Sequence, residues 1–133
     1  MPNFSRISRE RLATCHPDLQ RLMNEAVKDS AVDFTIVCGR RGKEDQEKAF
    51  REGKSKLHYP KSRHNSNPSE AVDVAPYVNG KLNWNPDYFR PLALHIKETA
   101  QRLGIAIRWG GDWDRGFIDM PHFELARKEK ANG

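Results

Sequence analysis

The sequence predicts an α+β fold: one small domain, 1–133, in which a mostly antiparallel sheet of three to four strands packs with about three helices. Two stretches, 17–29 and 86–103, repeat apolar residues at the spacing of a single helical face. Four short runs, 34–38, 71–76, 105–109 and 121–125, are rich in β-favouring residues or alternate apolar with polar positions. Turn residues separate these segments, among them the Asn79-Gly80 pair and Gly39, Gly42, Gly53 and Gly104. A chain of 133 residues suffices for one modest core, and no repeat, coiled coil or linker-joined second module is visible.

Residues 1 to 15 are polar with scattered apolar positions and predict only a short helix around Ser8 to Ala13. Pro17 suits the first turn of a clearer helix that runs to about Asp29, with Leu19, Leu22, Met23, Ala26 and Val27 on one face. His16 belongs to the start of that helix. Phe34 to Cys38 reads as a buried strand, Gly39 to Gly42 as a turn, and Lys43 to Glu52 as a short helix closed by Gly53. A long loop rich in Lys, Ser, Asn and Pro follows, from Gly53 to Pro68; loops of that length in a small domain are often functional.

Ala71 to Pro76 is the second strand. Successive side chains alternate, so Val72 and Val74 face one way and Asp73 the other. With the valines in the core, Asp73 faces a cleft and needs a partner, either a structural arginine or a metal. Asn85-Pro86-Asp87 and Gly104 bracket the second long helix, whose apolar face includes Leu92, Ile96, Ala100 and Leu103; His95 sits beside it as a packed helix residue. Ile105 to Trp109 is the third strand, and Trp109-Gly-Gly-Asp-Trp113 opens a second loop, whose Asp112 is expected to brace it. Pro121 to Leu125 is the last strand. Phe123 and Leu125 face the core, leaving His122 and Glu124 on the side that carries Asp73. Residues 126 to 133 are expected to be a frayed polar tail.

Composition excludes several classes. No apolar run approaches the ~20 residues of a membrane helix. The N-terminus lacks the apolar middle of a signal peptide, so synthesis in the cytoplasm without a Sec route of its own is expected. Cys15 and Cys38 are too few for a disulfide framework; both are expected to be reduced, Cys38 buried, and neither catalytic. The net charge of +5 is concentrated in Arg51 to Arg63, which suits a polyanionic partner. Nucleic acid is the rival partner, but neither a recognisable binding motif nor a basic stripe interleaved with stacking aromatics is present.

The chemistry-bearing residues lie in two blocks, Ser62 to Pro76 and Asp119 to Leu125. They supply His64, Asp73 and His122, donors suited to a divalent zinc ion, with Asp119 just before the last of them. Two imidazoles and one carboxylate leave a tetrahedral zinc with a fourth position for water. HExxH is absent, so the site is not carried on one helix and forms only on folding. Taken alone, His…Asp…His at such separations is a weak signal.

The pattern Ser-x-His, Ala-x-Asp and Asp-x-x-His resembles the zinc peptidases of the VanY and D-Ala-D-Ala carboxypeptidase group, and within it the phage endolysins that are L-alanyl-D-glutamate peptidases. The likeness runs from LATCHPDLQRLM to GGDW and PHFEL, in the family's order. Many members have a shorter His-to-Asp interval containing a glycine; here it spans nine positions, with Asn67, Pro68 and Ser69 in the turn, so the loop departs from the family pattern.

The resemblance implies a zinc cleft on one face of the sheet, with His64, Asp73 and His122 as ligands and Asp119 as general base. It also implies that Arg41 holds a substrate carboxylate or the developing oxyanion, with Arg40 the adjacent alternative for that role. Gln46 matches the family's glutamine five positions later and is read as structural. Ser62 and Trp113 are the expected substrate contacts, and His58 is read as an exposed loop histidine. The implied function is hydrolysis of the L-Ala–D-Glu amide of murein stem peptides during host lysis. The protein would act in the periplasm after a holin opens the membrane, as a monomer without stable membrane association and without a separate wall-binding domain. A regulatory Ca2+ is left open. The alternatives are a D-Ala-D-Ala carboxypeptidase of the same chemistry and a non-catalytic zinc-bearing wall-binding module.

Overall fold

The computed structural model describes residues 3–113 and 118–126. Among them lie α1 (Arg6–Leu12), α2 (Pro17–Lys28), β1 (Phe34–Cys38), α3 (Lys43–Arg51), β2 (Ala71–Val78), β3 (Lys81–Leu82), α4 (Pro86–Leu103), β4 (Ile107–Trp109) and β5 (His122–Leu125). Of the tail expected over residues 126 to 133, Ala126 is held by its N–H on the Ala106 carbonyl at 3.0 Å, and the rest lies outside the described residues. The architecture is α+β, with one strand beyond the expected count.

α1 is the short helix expected around Ser8 to Ala13. It begins two residues ahead of Ser8 because Ser5 caps it, its hydroxyl accepting the Ser8 N–H at 3.2 Å. The helix lies along β1. Ser8 Oγ accepts the Ile36 N–H at 3.2 Å and Arg11 Nη1 donates to the Ile36 carbonyl at 3.1 Å, so α1 covers a sheet edge that would otherwise be unpaired. The extra strand is β3. Asn79 and Gly80 both take positive φ, 52° and 80°, the tight turn that an Asn-Gly pair favours, and the chain folds back on β2.

All strand pairs are antiparallel, in the order β1-β2-β5-β4 with β3 beside β2. β4 starts at Ile107 rather than Ile105. Gly104 ends α4 in the left-handed conformation, and the Ile105 N–H turns back to the Ala100 carbonyl at 2.9 Å, which commits Ile105 to the end of the helix. One face of the sheet packs on α2 and α4: Ile36, Val72, Val74 and Phe123 meet Leu19, Leu22, Met23, Leu92 and Ile96 in one buried cluster. The other face carries Asp73, His122 and Glu124 and is overlaid by α3 and the loop that follows it.

Two features of this frame position the other face. In β2–β5 the register sets Asp73 directly opposite His122. In β1–β2 the register shifts between Ile36 and Cys38, so that Cys38 lies opposite Asp73. Simple alternation from Phe34 and Ile36 puts Cys38 in the core, which was the expectation. The bulge adds one residue and turns it to the cleft side, where it is half-buried.

Gly39, next along the chain, passes so close under the end of α1 that a Cβ there would lie 2.2 Å from the Arg11 carbonyl oxygen. Gly39→Ala is therefore expected to lower stability by about 1–3 kcal/mol, because a backbone atom has to move. Denaturant titration checks this; unchanged stability would show that the close approach is not required.

Candidate active site

His64 sits in a single 3-10 turn, Arg63–Asn65, that reciprocal hydrogen bonds hold shut. Ser62 Oγ accepts the His64 N–H at 3.2 Å, and Asn65 Oδ1 accepts the Ser62 N–H at 3.0 Å. His64 Nδ1 lies 2.8 Å from the Gly39 carbonyl, which only accepts, so this nitrogen carries the proton and Nε2 offers a lone pair. On the neighbouring strand His122 Nε2 lies 2.8 Å from Glu124 Oε1, so its Nδ1 is the nitrogen with the lone pair.

These lone pairs converge. His64 Nε2 is 3.1 Å from Asp73 Oδ1 and 3.2 Å from His122 Nδ1, and His122 Nδ1 is 3.3 Å from Asp73 Oδ1. A tetrahedral shell with bonds of about 2.0–2.1 Å has edges of about 3.3–3.4 Å, so the three atoms already form one face of such a shell. Without a cation, one or more protons must lie among them. Burial opposes charging either imidazole, yet the Asp73 carboxylate outweighs it, pushing His64 up to about 10 and His122 upward. Burial likewise opposes the charge on Asp73, and the two imidazoles outweigh it, holding that carboxyl well below the usual range. One divalent cation meets the same electrostatic demand without placing two imidazolium rings side by side. The residues present fit a metal ion.

The other oxygen of Asp73 faces Arg41, whose Nη2 is 3.6 Å away. Arg41 Nη1 donates to Gln46 Oε1 at 2.9 Å, and the backbone N–H of Arg41 donates to the His64 carbonyl at 2.8 Å. Arg40 is exposed and its N–H bonds to Thr14. Of the two arginines, Arg41 is the one that lines the cleft. Gln46 is wholly buried and uses its whole amide: it also accepts from Asn65 Nδ2 at 3.1 Å and donates to Ser55 Oγ and the Leu57 carbonyl at 2.9 and 2.7 Å. It ties Arg41, the His64 turn and the following loop together.

Asp119 lies in the irregular stretch before β5. Its Oδ2 is 4.0 Å from His122 Nδ1, and burial, reinforced by the Asp73 charge, pushes its carboxyl up to about 6. The glycines of the GGDW block make room for the chain itself: a Cβ on Gly110 would lie 2.1 Å from the Asp119 carbonyl oxygen, and one on Gly111 would strike the Trp109 ring. Trp109 is core, its Nε1 donating to the Met120 carbonyl at 2.7 Å. Trp113 lines the cleft, its ring centroid 5.2 Å from that of His122. Asp112 braces the loop through Lys97 Nζ at 2.5 Å.

The cleft holds about 690 Å³ and runs from Asp73, His64 and His122 past Trp113 and Asp119 to Leu57 and the lysines beside α3. Ser62 lines it, although its hydroxyl already caps the His64 turn. Three histidines are engaged elsewhere: His16 caps α2, His95 Nε2 sits 2.9 Å from the Ala26 carbonyl, and His58 pairs with Glu47 and stacks on Phe50.

Sequence reasoning missed two members of the site. Cys38 joins it through a bulge that alternation does not reveal. Arg63, read only as part of a basic run, reaches the Leu125 carbonyl at 2.6 Å and Glu124 Oε2 at 3.6 Å, and so backs the carboxylate that orients His122. No local pattern marks either; an arginine next to a ligand histidine was the one available hint.

A family profile described as phage L-alanyl-D-glutamate peptidase matches residues 2–126. The L-alanyl-D-glutamate peptidase of Escherichia phage T5 is 36% identical over 92% of this chain and 96% of its own length. The peptidoglycan L-alanyl-D-glutamate endopeptidase CwlK of Bacillus subtilis (strain 168) is 28% identical over 77% of this chain and 66% of its own. The crystal structure of the L-Ala D-Glu endopeptidase ChiX of Serratia marcescens superposes with a TM-score of 0.81 at 33% identity, covering 94% of this chain and 91% of that one. With a profile match over almost the whole length and a cleft built from the residues described above, the chain belongs to the phage L-alanyl-D-glutamate peptidase family.

Proposed function

We propose that the protein is a zinc peptidase that hydrolyses the L-Ala–D-Glu amide of murein stem peptides. The observation that carries the reading is the meeting of His64 Nε2, Asp73 Oδ1 and His122 Nδ1 within 3.1–3.3 Å in a cleft that also contains Asp119 and Arg41. The names of the relatives support the choice of bond.

His64, Asp73 and His122 would hold the ion. Zinc bound there supplies Lewis acidity and lowers the pKa of a water to about 7. Asp119 accepts the proton of the attacking water and delivers it to the leaving amine. Arg41, held by Gln46, offers its fork to a substrate carboxylate or to the developing oxyanion. Ser62 and Trp113 form parts of the wall against which the stem peptide lies. Murein peptides carry D-Glu and other carboxylates, which suits the Arg41 guanidinium that lines the cleft.

No helix among the described residues is long and apolar enough to cross a membrane. Access to murein through a holin-made lesion and action as a monomer complete the proposal.

Muropeptides digested with and without a chelator provide the main test. Chelator-sensitive release of peptides cut after L-Ala is expected; loss of only a terminal D-Ala would establish a carboxypeptidase instead, and binding without cleavage a wall-binding module. His122→Ala is expected to abolish both zinc retention and hydrolysis; zinc content equal to wild type would remove His122 from the ligand set. Asp119→Ala should keep the metal and the circular dichroism spectrum while the rate falls by about 10²–10⁴. Retained activity would end the general-base assignment. Glu124→Gln weakens the acceptor behind His122 and should reduce zinc affinity by about 10–100-fold in a competition titration. Unchanged affinity would make that hydrogen bond incidental.

A further inference from the structure

We infer that Cys38 is a fourth protein donor for the same metal ion, giving the centre a closed His64–Asp73–His122–Cys38 form beside the open three-donor form that hydrolysis requires. The inference rests on the metal reading just proposed and adds to it a state in which the ion has no position left for water.

The bulge between Ile36 and Cys38 is the first support. It sets Cys38 opposite Asp73 on β2, so the thiol projects from the face that carries Asp73 and His122. The second is the donor geometry. Cys38 Sγ and donor atoms of His64 and Asp73 all lie within 4.8 Å of one another. Two triads therefore share the His64–Asp73 pair, one completed by His122 and the other by Cys38. The third is the surroundings of the sulfur. Arg41 Nη2 lies 3.8 Å from Sγ and 3.6 Å from Asp73 Oδ2, so the guanidinium touches the thiol and the carboxylate together. Cys38 also lines the cleft, whereas the other cysteine, Cys15, is buried with its thiol near the Arg11 and Ala71 carbonyls.

Four protein ligands including sulfur make a closed zinc shell of the structural kind, while three leave an open one. Closing forms one metal–sulfur bond, sends the thiol proton to solvent and takes up the remaining coordination position. Opening breaks that bond and returns a proton to the sulfur. A substrate carbonyl or a water molecule then has room at the ion.

Cobalt(II) substitution of the full-length protein tests this without relying on activity. Cobalt loading is measured by metal analysis and the near-ultraviolet spectrum is recorded. A thiolate-to-cobalt charge-transfer band is expected in the wild type and in Cys15→Ser, and its loss in Cys38→Ser. Near pH 7 the wild type should also release one proton more than Cys38→Ser on binding zinc. A loaded wild type without the band, or a band that persists in Cys38→Ser, overturns the inference and leaves the three-donor centre standing. Failure of the wild type to take up either metal overturns both.

Discussion

Three electron-pair donors held 3.1–3.3 Å apart, with the protons of both imidazoles committed elsewhere, set the terms for the rest of this molecule. Such a cluster is repulsive unless something positive lies within it. The fold tolerates it because two of the donors, Asp73 and His122, are cross-strand neighbours on paired strands, and the third is pinned by the Gly39 carbonyl. A slip of one residue between β2 and β5 would send Asp73 into the core and a valine into the cleft. Burial of Val72, Val74 and Phe123 on the opposite face opposes that slip. The hydrophobic core thus acts directly on the chemistry: it selects the register that brings the donors together.

Around the cluster lies a shell of polar groups whose bonds are nearly all satisfied. Gln46 joins Arg41 to Asn65 and to the loop at Ser55 and Leu57. Glu124 and Arg63 stand behind His122. No buried side-chain polar atom among the described residues lacks a partner. That matters in a low-dielectric interior, where one unpaired polar group costs about 1–3 kcal/mol. The glycines serve the same end. Gly39 and Gly110 let two backbone segments approach closely, one below His64 and one beside Asp119.

The two carboxylates of the cleft have opposite environments. Asp73 faces two imidazoles and a guanidinium and stays charged; Asp119 stands a little further out, and burial, with the Asp73 charge added, pushes its carboxyl upward. One is suited to hold a cation and the other to pass a proton. Cys38 adds a soft sulfur donor to the same face.

Much of this was legible in the chain. Helical spacing and capping residues located α2 and α4, and β1 was read to its ends, because each depends on local preference. Alternation placed Asp73, His122 and Glu124 on one face of the sheet, since the side-chain period of a strand is a property of the chain. Local pattern was less reliable where a neighbour intervened. Ser5 and the β1 edge extended α1 toward the N-terminus, and the end of α4 claimed Ile105 from the expected strand. The sequence by itself marked the candidate donors and determined which face of their strands Asp73, His122 and Glu124 occupy. Only the tertiary structure decided that His64, carried on an irregular turn, reaches that face, that Arg41 rather than Arg40 borders it, and that a bulge turns Cys38 toward it. Those three outcomes depend on contacts between segments far apart in the chain, which no local periodicity encodes.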